Sequence, residues 1–157
     1  MSRNFPGYTG YQSDSEVFTH ILHYTQNKLG LGMEMCKHVI TPLRDEELAR
    51  HPDGRMLRNL KQSCRPLIID GPNCVIGCLP DKSMFMVQDA KKLRPGVVGG
   101  RPGIFAFSSE MCGLDAAIPE RDINLDDQPM RYETVIVRRG RQEIEKWNQW
   151  DTLPHLH

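Results

Sequence analysis

Long apolar runs are what this 157-residue chain most clearly lacks. An α-helix needs roughly 20 consecutive apolar residues to span a bilayer, and no stretch here comes near that, so no membrane partner is expected. Charge of one sign is missing too. Lys and Arg number 20, Asp and Glu number 20, and the formal net charge is +0. No basic face follows from these totals, so nucleic acid is not an expected partner. The opening Met1-Ser2-Arg3-Asn4-Phe5-Pro6-Gly7 has no apolar stretch of the secretory kind. The five cysteines, Cys36, Cys64, Cys74, Cys78 and Cys112, are odd in number and form no Cys-x-x-Cys pair. Reduced thiols in a cytoplasmic protein are the simplest reading. Cys74 and Cys78 would share one face of a strand. A metal site would need two more ligands at suitable spacing, so buried, inert thiols and no metal are expected.

What is present suits one packed domain: 39% of residues are hydrophobic and 25% charged. After a loop-like start over residues 1–12, rich in Gly, Pro, Tyr and Asn, a helix is expected from Ser13. Ser13 is a suitable N-cap, and Glu16 three residues on completes a capping box. Val17, Phe18, Ile21, Leu22, Thr25 and Leu29 then fall on one stripe, and Gly30 is a C-terminal stop. His20 and His23 could share a face, but without a carboxylate partner they flank a core stripe more simply than they bind metal. A second helical region is expected from Pro42 to about Gln62, capped by Thr41 and broken at Arg50-His51-Pro52-Asp53-Gly54 into two shorter helices. Its charged residues Arg44 to Arg50 read as a solvated face.

From Arg65 the texture changes to short apolar or alternating runs between turn residues. Strands are expected at Pro66–Ile69, Asn73–Leu79, Ser83–Val87, Val97-Val98 and Ile104–Phe107, as an antiparallel meander. A short helix follows over Ser108–Asp115, entered through a serine cap. A last strand runs from Glu133 to Arg138. Residues 141–157 are expected to be a polar tail carrying Trp147 and Trp150. The pattern is that of an α+β domain.

Among residues that could carry chemistry, Asp14 leads. The positive end of a helix favours an acidic residue in its first turn for stability alone. A carboxylate there can also receive the ammonium of an amino-acid substrate through a charge-assisted hydrogen bond, with Gly7, Tyr8, Gly10 and Tyr11 as a flexible wall. Lys91, Lys92 and Arg94 could hold a phosphate or carboxylate, although a turn with solvated charges is the simpler account. Ser109 as a nucleophile beside His38 or His155 would lack a Gly-x-Ser-x-Gly frame, and helix capping is the better account. Ser2 would lead the chain if Met1 were removed, but loop-like residues follow it.

Ser13-Asp14-Ser15-Glu16, the strand meander, Asp89 to Gly99, and Phe107-Ser108-Ser109-Glu110 with Leu114-Asp115 together resemble the class II, N-terminal-nucleophile glutamine amidotransferase domain. The likeness covers most of residues 12–137 and is nearest to the amidotransferase subunit of glutamate synthase and N-methylglutamate synthase-like enzymes. Each motif is weak alone; their order and spacing are more specific. The resemblance implies a four-layer αββα sandwich with two antiparallel sheets. It implies hydrolysis of glutamine to glutamate, with ammonia passed to a synthase partner and no cofactor in this domain. In that family an N-terminal Cys attacks the side-chain amide, an Asn-Gly pair stabilises the oxyanion, an Arg binds the substrate carboxylate and an Asp binds its ammonium.

Only that Asp has a counterpart here, Asp14, as a substrate-binding residue. No residue corresponds to the nucleophilic Cys, no His-Asn-Gly-like motif precedes Asp14, and no catalytic residue is assigned. The expectation is therefore a C-terminal part of such a domain over residues 1–140, inactive alone and possessing a sheet that the missing N-terminal half would cover. The alternative is a non-catalytic structural or regulatory subunit with the same fold, and composition alone also allows a small α+β binding module.

Overall fold

A computed structural model describes residues 13–69 and 71–153. The chain divides into two compact units, residues 1–70 with 152–157, and residues 71–151. The α+β expectation holds. The described helices before residue 70 form the first unit, and two antiparallel sheets with one helix form the second.

In the first unit, α1 spans Asp14–His23 and runs on as a π-helical stretch, Tyr24–Lys28. Ser13 is the extended N-cap, as expected, but its side chain makes no capping bond. Glu16 does not complete a box: its carboxylate turns to His20, 3.7 Å away, on the next turn. Thr25 marks the change of helical pitch, its hydroxyl donating to the Ile21 and Leu22 carbonyls at 2.8 and 3.2 Å. Such back-bonding competes with the regular ladder. Gly30, at φ +68°, ends the run in the left-handed region open to glycine.

α2, Met33–Ile40, was not expected. Seven of its eight residues are buried, including Lys37 and His38, so no polar face marks it in the sequence. Thr41 closes α2 instead of capping the next helix. α3, Asp45–Leu48, starts from Arg44, whose N–H donates to the Glu47 carboxylate at 2.7 Å. α4 spans Gly54–Ser63. The break expected between these two helices is present. Lys61 ties them, donating to the Leu43 carbonyl at 3.1 Å and to Asp45 at 2.8 Å. Ile21, Val39, Cys64 and Leu67 form one core, with Val17, Tyr24, Leu60 and Ile69 around it. The strand expected at Pro66–Ile69 is a correction: Arg65–Leu67 is a turn of 3₁₀-helix, and Leu67 plugs that core.

In the second unit, β1 (Cys74–Cys78), β2 (Met84–Gln88), β6 (Glu133–Val137) and β7 (Ile144–Asn148) form a sheet in the order β1-β2-β6-β7. β3 (Val97–Arg101), β4 (Ile104–Ser108) and β5 (Asp122–Asp127) form another in the order β4-β3-β5. The strands thus form three hairpins, β1-β2 and β6-β7 in the larger sheet and β3-β4 in the smaller, and not a simple meander. β7 lies within the expected polar tail. Residues 144–148 pair with β6 along its whole length, and Arg138 links the two strands by bonding Glu145 at 2.9 Å and stacking 5.8 Å over Trp147.

Opposed residues of antiparallel strands share a face. Met84, Val135, Val137 and Ile144 therefore line one face of the larger sheet. They pack against Val98, Phe105 and Phe107 of the smaller one. On the other face of the smaller sheet lies α5, Met111–Ala117, with Leu114 fully buried. Gly99 permits this approach: a Cβ there would stand 2.8 Å from Leu114 Cδ1 and run into the Asp126 carboxylate. The second unit is so built as sheet, sheet, helix. Among the described residues, no helix is long and apolar enough to cross a membrane.

Candidate functional site

Asp14 is the first residue of α1, so its backbone sits where the helix presents unpaired N–H groups. Its side chain lies outside what is described, as do Ser2, Gly7, Tyr8, Gly10, Tyr11 and His155. Helix position is therefore what the structure contributes to the Asp14 assignment. The histidines on α1 take local partners, His20 beside Glu16 and His23 Nδ1 2.8 Å from Asn27 Nδ2.

The loop from Asp89 to Gly96 is built around a buried carboxylate. Asp89, 4% exposed, accepts from the Lys92 backbone N–H at 2.9 Å and from Gln88 Nε2 at 3.1 Å. Its own backbone ties the loop to both neighbours, the N–H donating to the Asn73 carbonyl at 3.2 Å and the carbonyl accepting from Tyr132 at 3.4 Å. Lys92 adopts φ 50° to close this turn. Lys91 and Arg94 stand exposed. The three cations are thus carried on a loop shaped by Asp89, with no inward-facing anion cradle among their described contacts.

The entry to α5 is a second ordered turn. Ser108 Oγ accepts the Glu110 backbone N–H at 3.3 Å, and Glu110 is the N-cap. Ser108 is thus a turn-former, and Ser109 is exposed beside it. Behind α5, Arg121 grips Asp126 through Nε at 2.9 and 3.0 Å and reaches Asp115 at 2.6 Å. Its guanidinium and the Asp126 carboxylate are both nearly buried, so this is a structural clamp between β5 and the helix.

The thiols are poor nucleophiles where a direction can be stated. Burial pushes Cys36 and Cys74 up to about 11, with Glu34 adding to the effect at Cys36 and Asp89 at Cys74. Burial also raises Cys64, and the bond from Cys112 to the Glu110 carboxylate raises that thiol. A nucleophilic cysteine needs the opposite environment, one that stabilises the thiolate. His38, considered as a base for Ser109, lies 4% exposed inside the first unit with its ring edge-on to His51 at a centroid distance of 6.5 Å. Among the described residues, no group of three or more His, Cys, Asp or Glu side chains gathers to hold a metal ion.

Comparison with known proteins finds no match. No family model fits the chain, and no curated protein and no solved structure is significantly similar to it. The buried Asp89 turn and the Arg121 clamp are the ordered polar features that sequence reading missed. Asp89 stands between Gln88 and Ala90 without any local sign that it would be buried.

Proposed function

We propose that this chain is part of a class II glutamine amidotransferase, contributing the substrate-ammonium site and the later half of the sandwich to a cytoplasmic, glutamate synthase-like assembly. One observation carries the reading. The second unit stacks sheet, sheet and helix in that order, with the Asp89 loop leading into β3 and Ser108-Ser109-Glu110 leading into α5. A stack of two antiparallel sheets and a helix is what three layers of an αββα sandwich would look like, and this supports the reading. In this reading Asp14 binds the α-ammonium of glutamine at the start of α1. The attacking sulfur is none of Cys36, Cys64, Cys74 or Cys112, each of which is biased toward the neutral thiol. Ammonia released at the complete site passes to the synthase partner.

The same thiol environments favour a second reading, in which the chain keeps the fold as a structural or regulatory subunit and performs no chemistry. A glutamine titration followed by NMR separates the readings. The purified chain is expected to release no ammonia from glutamine under either. Under the first, glutamine perturbs the backbone NMR signals at the start of α1, and Asp14→Asn abolishes the perturbation. Ammonia release by the unmodified chain overturns the reading of it as an inactive part of the domain, and glutamine binding untouched by Asp14→Asn overturns the Asp14 assignment. No glutamine response at all favours the structural subunit.

A further inference from the structure

We propose that β1 is a docking strand for a second copy of this chain, the two β1 strands pairing antiparallel about a two-fold axis at Ile76. The inference is independent of the amidotransferase reading.

Of the four strands that end the two sheets, two carry charges and two, β1 and β4, do not. β7 carries Glu145 and Lys146, and β5 carries Asp122, Asp126 and Asp127. Charges on an edge strand keep other strands from adding to it. β1, Cys-Val-Ile-Gly-Cys, has neither charge nor proline, and it ends the order of its sheet. Its register with β2 is regular over all five pairs, with no bulge to twist the edge away.

The direction of its free backbone groups follows from the bonds at its ends. Asp89 donates to the Asn73 carbonyl at 3.2 Å, and Leu79 donates to the Ser83 carbonyl at 2.8 Å. Asn73 and Leu79 therefore turn their main-chain groups toward β2. Alternation places Val75 and Gly77 with them and turns Cys74, Ile76 and Cys78 the other way. Each copy thus offers three N–H donors and three carbonyl acceptors in one row. Ile76 adds an apolar side chain that is 46% exposed, and Cys78 is exposed beside it.

A two-fold axis at Ile76 satisfies this row with its own copy. Ile76 meets Ile76 of the second copy, Cys74 meets Cys78, and Val75 meets Gly77. An isologous contact must be self-complementary, and here no like charges meet because the strand has none. The larger sheet would become continuous across the two copies. One strand pair buries less than the roughly 1,600 Å² of a standard stable complex, so the dimer is weak and depends on concentration. With no ion pair at the contact, it is also insensitive to salt.

Sedimentation velocity on the full chain tests this. The expected result is a rise toward doubled mass between micromolar and millimolar protein, unchanged by added salt. Ile76→Pro removes an N–H that does not bond β2, and an edge strand accepts such a proline; Ile76→Lys places a charge on the axis. Both are expected to stay monomeric with little change in Tm. Ile104→Lys, on the also uncharged edge strand β4, is expected to associate like the unmodified protein. Hydrogen exchange supplies a readout that needs no variant. The amides of Cys74, Ile76 and Cys78 are expected to slow as concentration rises, while those of Val75 and Gly77 do not change. A monomer at every concentration, association that survives both Ile76 variants or is lost in Ile104→Lys, or the absence of that alternating slowing overturns the proposal.

Discussion

His38 shows what a single residue can do to the response of this protein to acid. Neither ring nitrogen has a hydrogen-bond partner among the described residues. Burial, with smaller effects from Lys37 and His51, lowers its pKa from 6.5 to about 3. The folded protein therefore keeps this imidazole neutral at pH values where the unfolded chain binds a proton. Stability rises with pH wherever the unfolded state holds more protons. His38 thus contributes no loss above pH 6.5, and a growing loss as the pH falls from 6.5 toward about 3. The slope attributable to it approaches about 1.4 kcal/mol per pH unit within that window. Urea unfolding at a series of pH values is expected to show His38→Leu flattening this slope. An unchanged slope in the variant would mean that other groups control acid unfolding. The sequence places a histidine at 38, but its depth depends on neighbours far along the chain.

At the level of elements, legibility followed local pattern. α1, α5 and the strands β1 to β4 and β6 were readable because apolar periodicity and turn residues mark them. α2 was not, because Met-Glu-Met-Cys-Lys-His-Val-Ile is buried nearly all round and buries a lysine and a histidine that look like surface residues. β5, Asp-Ile-Asn-Leu-Asp-Asp, is rich in residues that strands disfavour. Pairing with β3 and the Arg121 bond to Asp126 hold it in the sheet instead. β7 looks like charged tail, yet β6 beside it is apolar and needs a covering strand. Ile144 is the anchor: it joins Val98, Val135 and Val137 in the core between the sheets. Ile144→Asp is expected to cost about 2 kcal/mol or more, by placing a carboxylate in that core. A shift in the chemical-denaturation midpoint measures it. Stability equal to that of the unmodified protein would show that β7 is dispensable.

Across the whole molecule, the five thiols form a graded series. Cys78 and Cys112 are exposed, Cys74 is partly covered, and Cys36 and Cys64 are buried. A thiol-reactive chromophore at mildly alkaline pH is expected to modify Cys78 and Cys112 first, Cys74 more slowly, and Cys36 and Cys64 only with unfolding. Rapid reaction at Cys36 or Cys64 would contradict the packing of the first unit. The same gradation bears on chemistry, since an activated cysteine would stand out as the fastest of the series at neutral pH.

Composition and periodicity by themselves determined that this is an α+β protein with helices first and strands later, because side-chain spacing of 3.6 and of 2 residues is a local property. They also singled out Asp14 as a residue at a helix start and the Lys91 to Arg94 turn as a loop. Only tertiary structure decided that the strands split into two sheets, that residues 144–148 are a strand, and that Asp89 and His38 are buried. It likewise decided that β1 ends its sheet among the described residues, with the main-chain groups of Cys74, Ile76 and Cys78 turned away from β2. Those features depend on which distant segments pair and cover one another, and pairing across the chain leaves no mark on the residues next door.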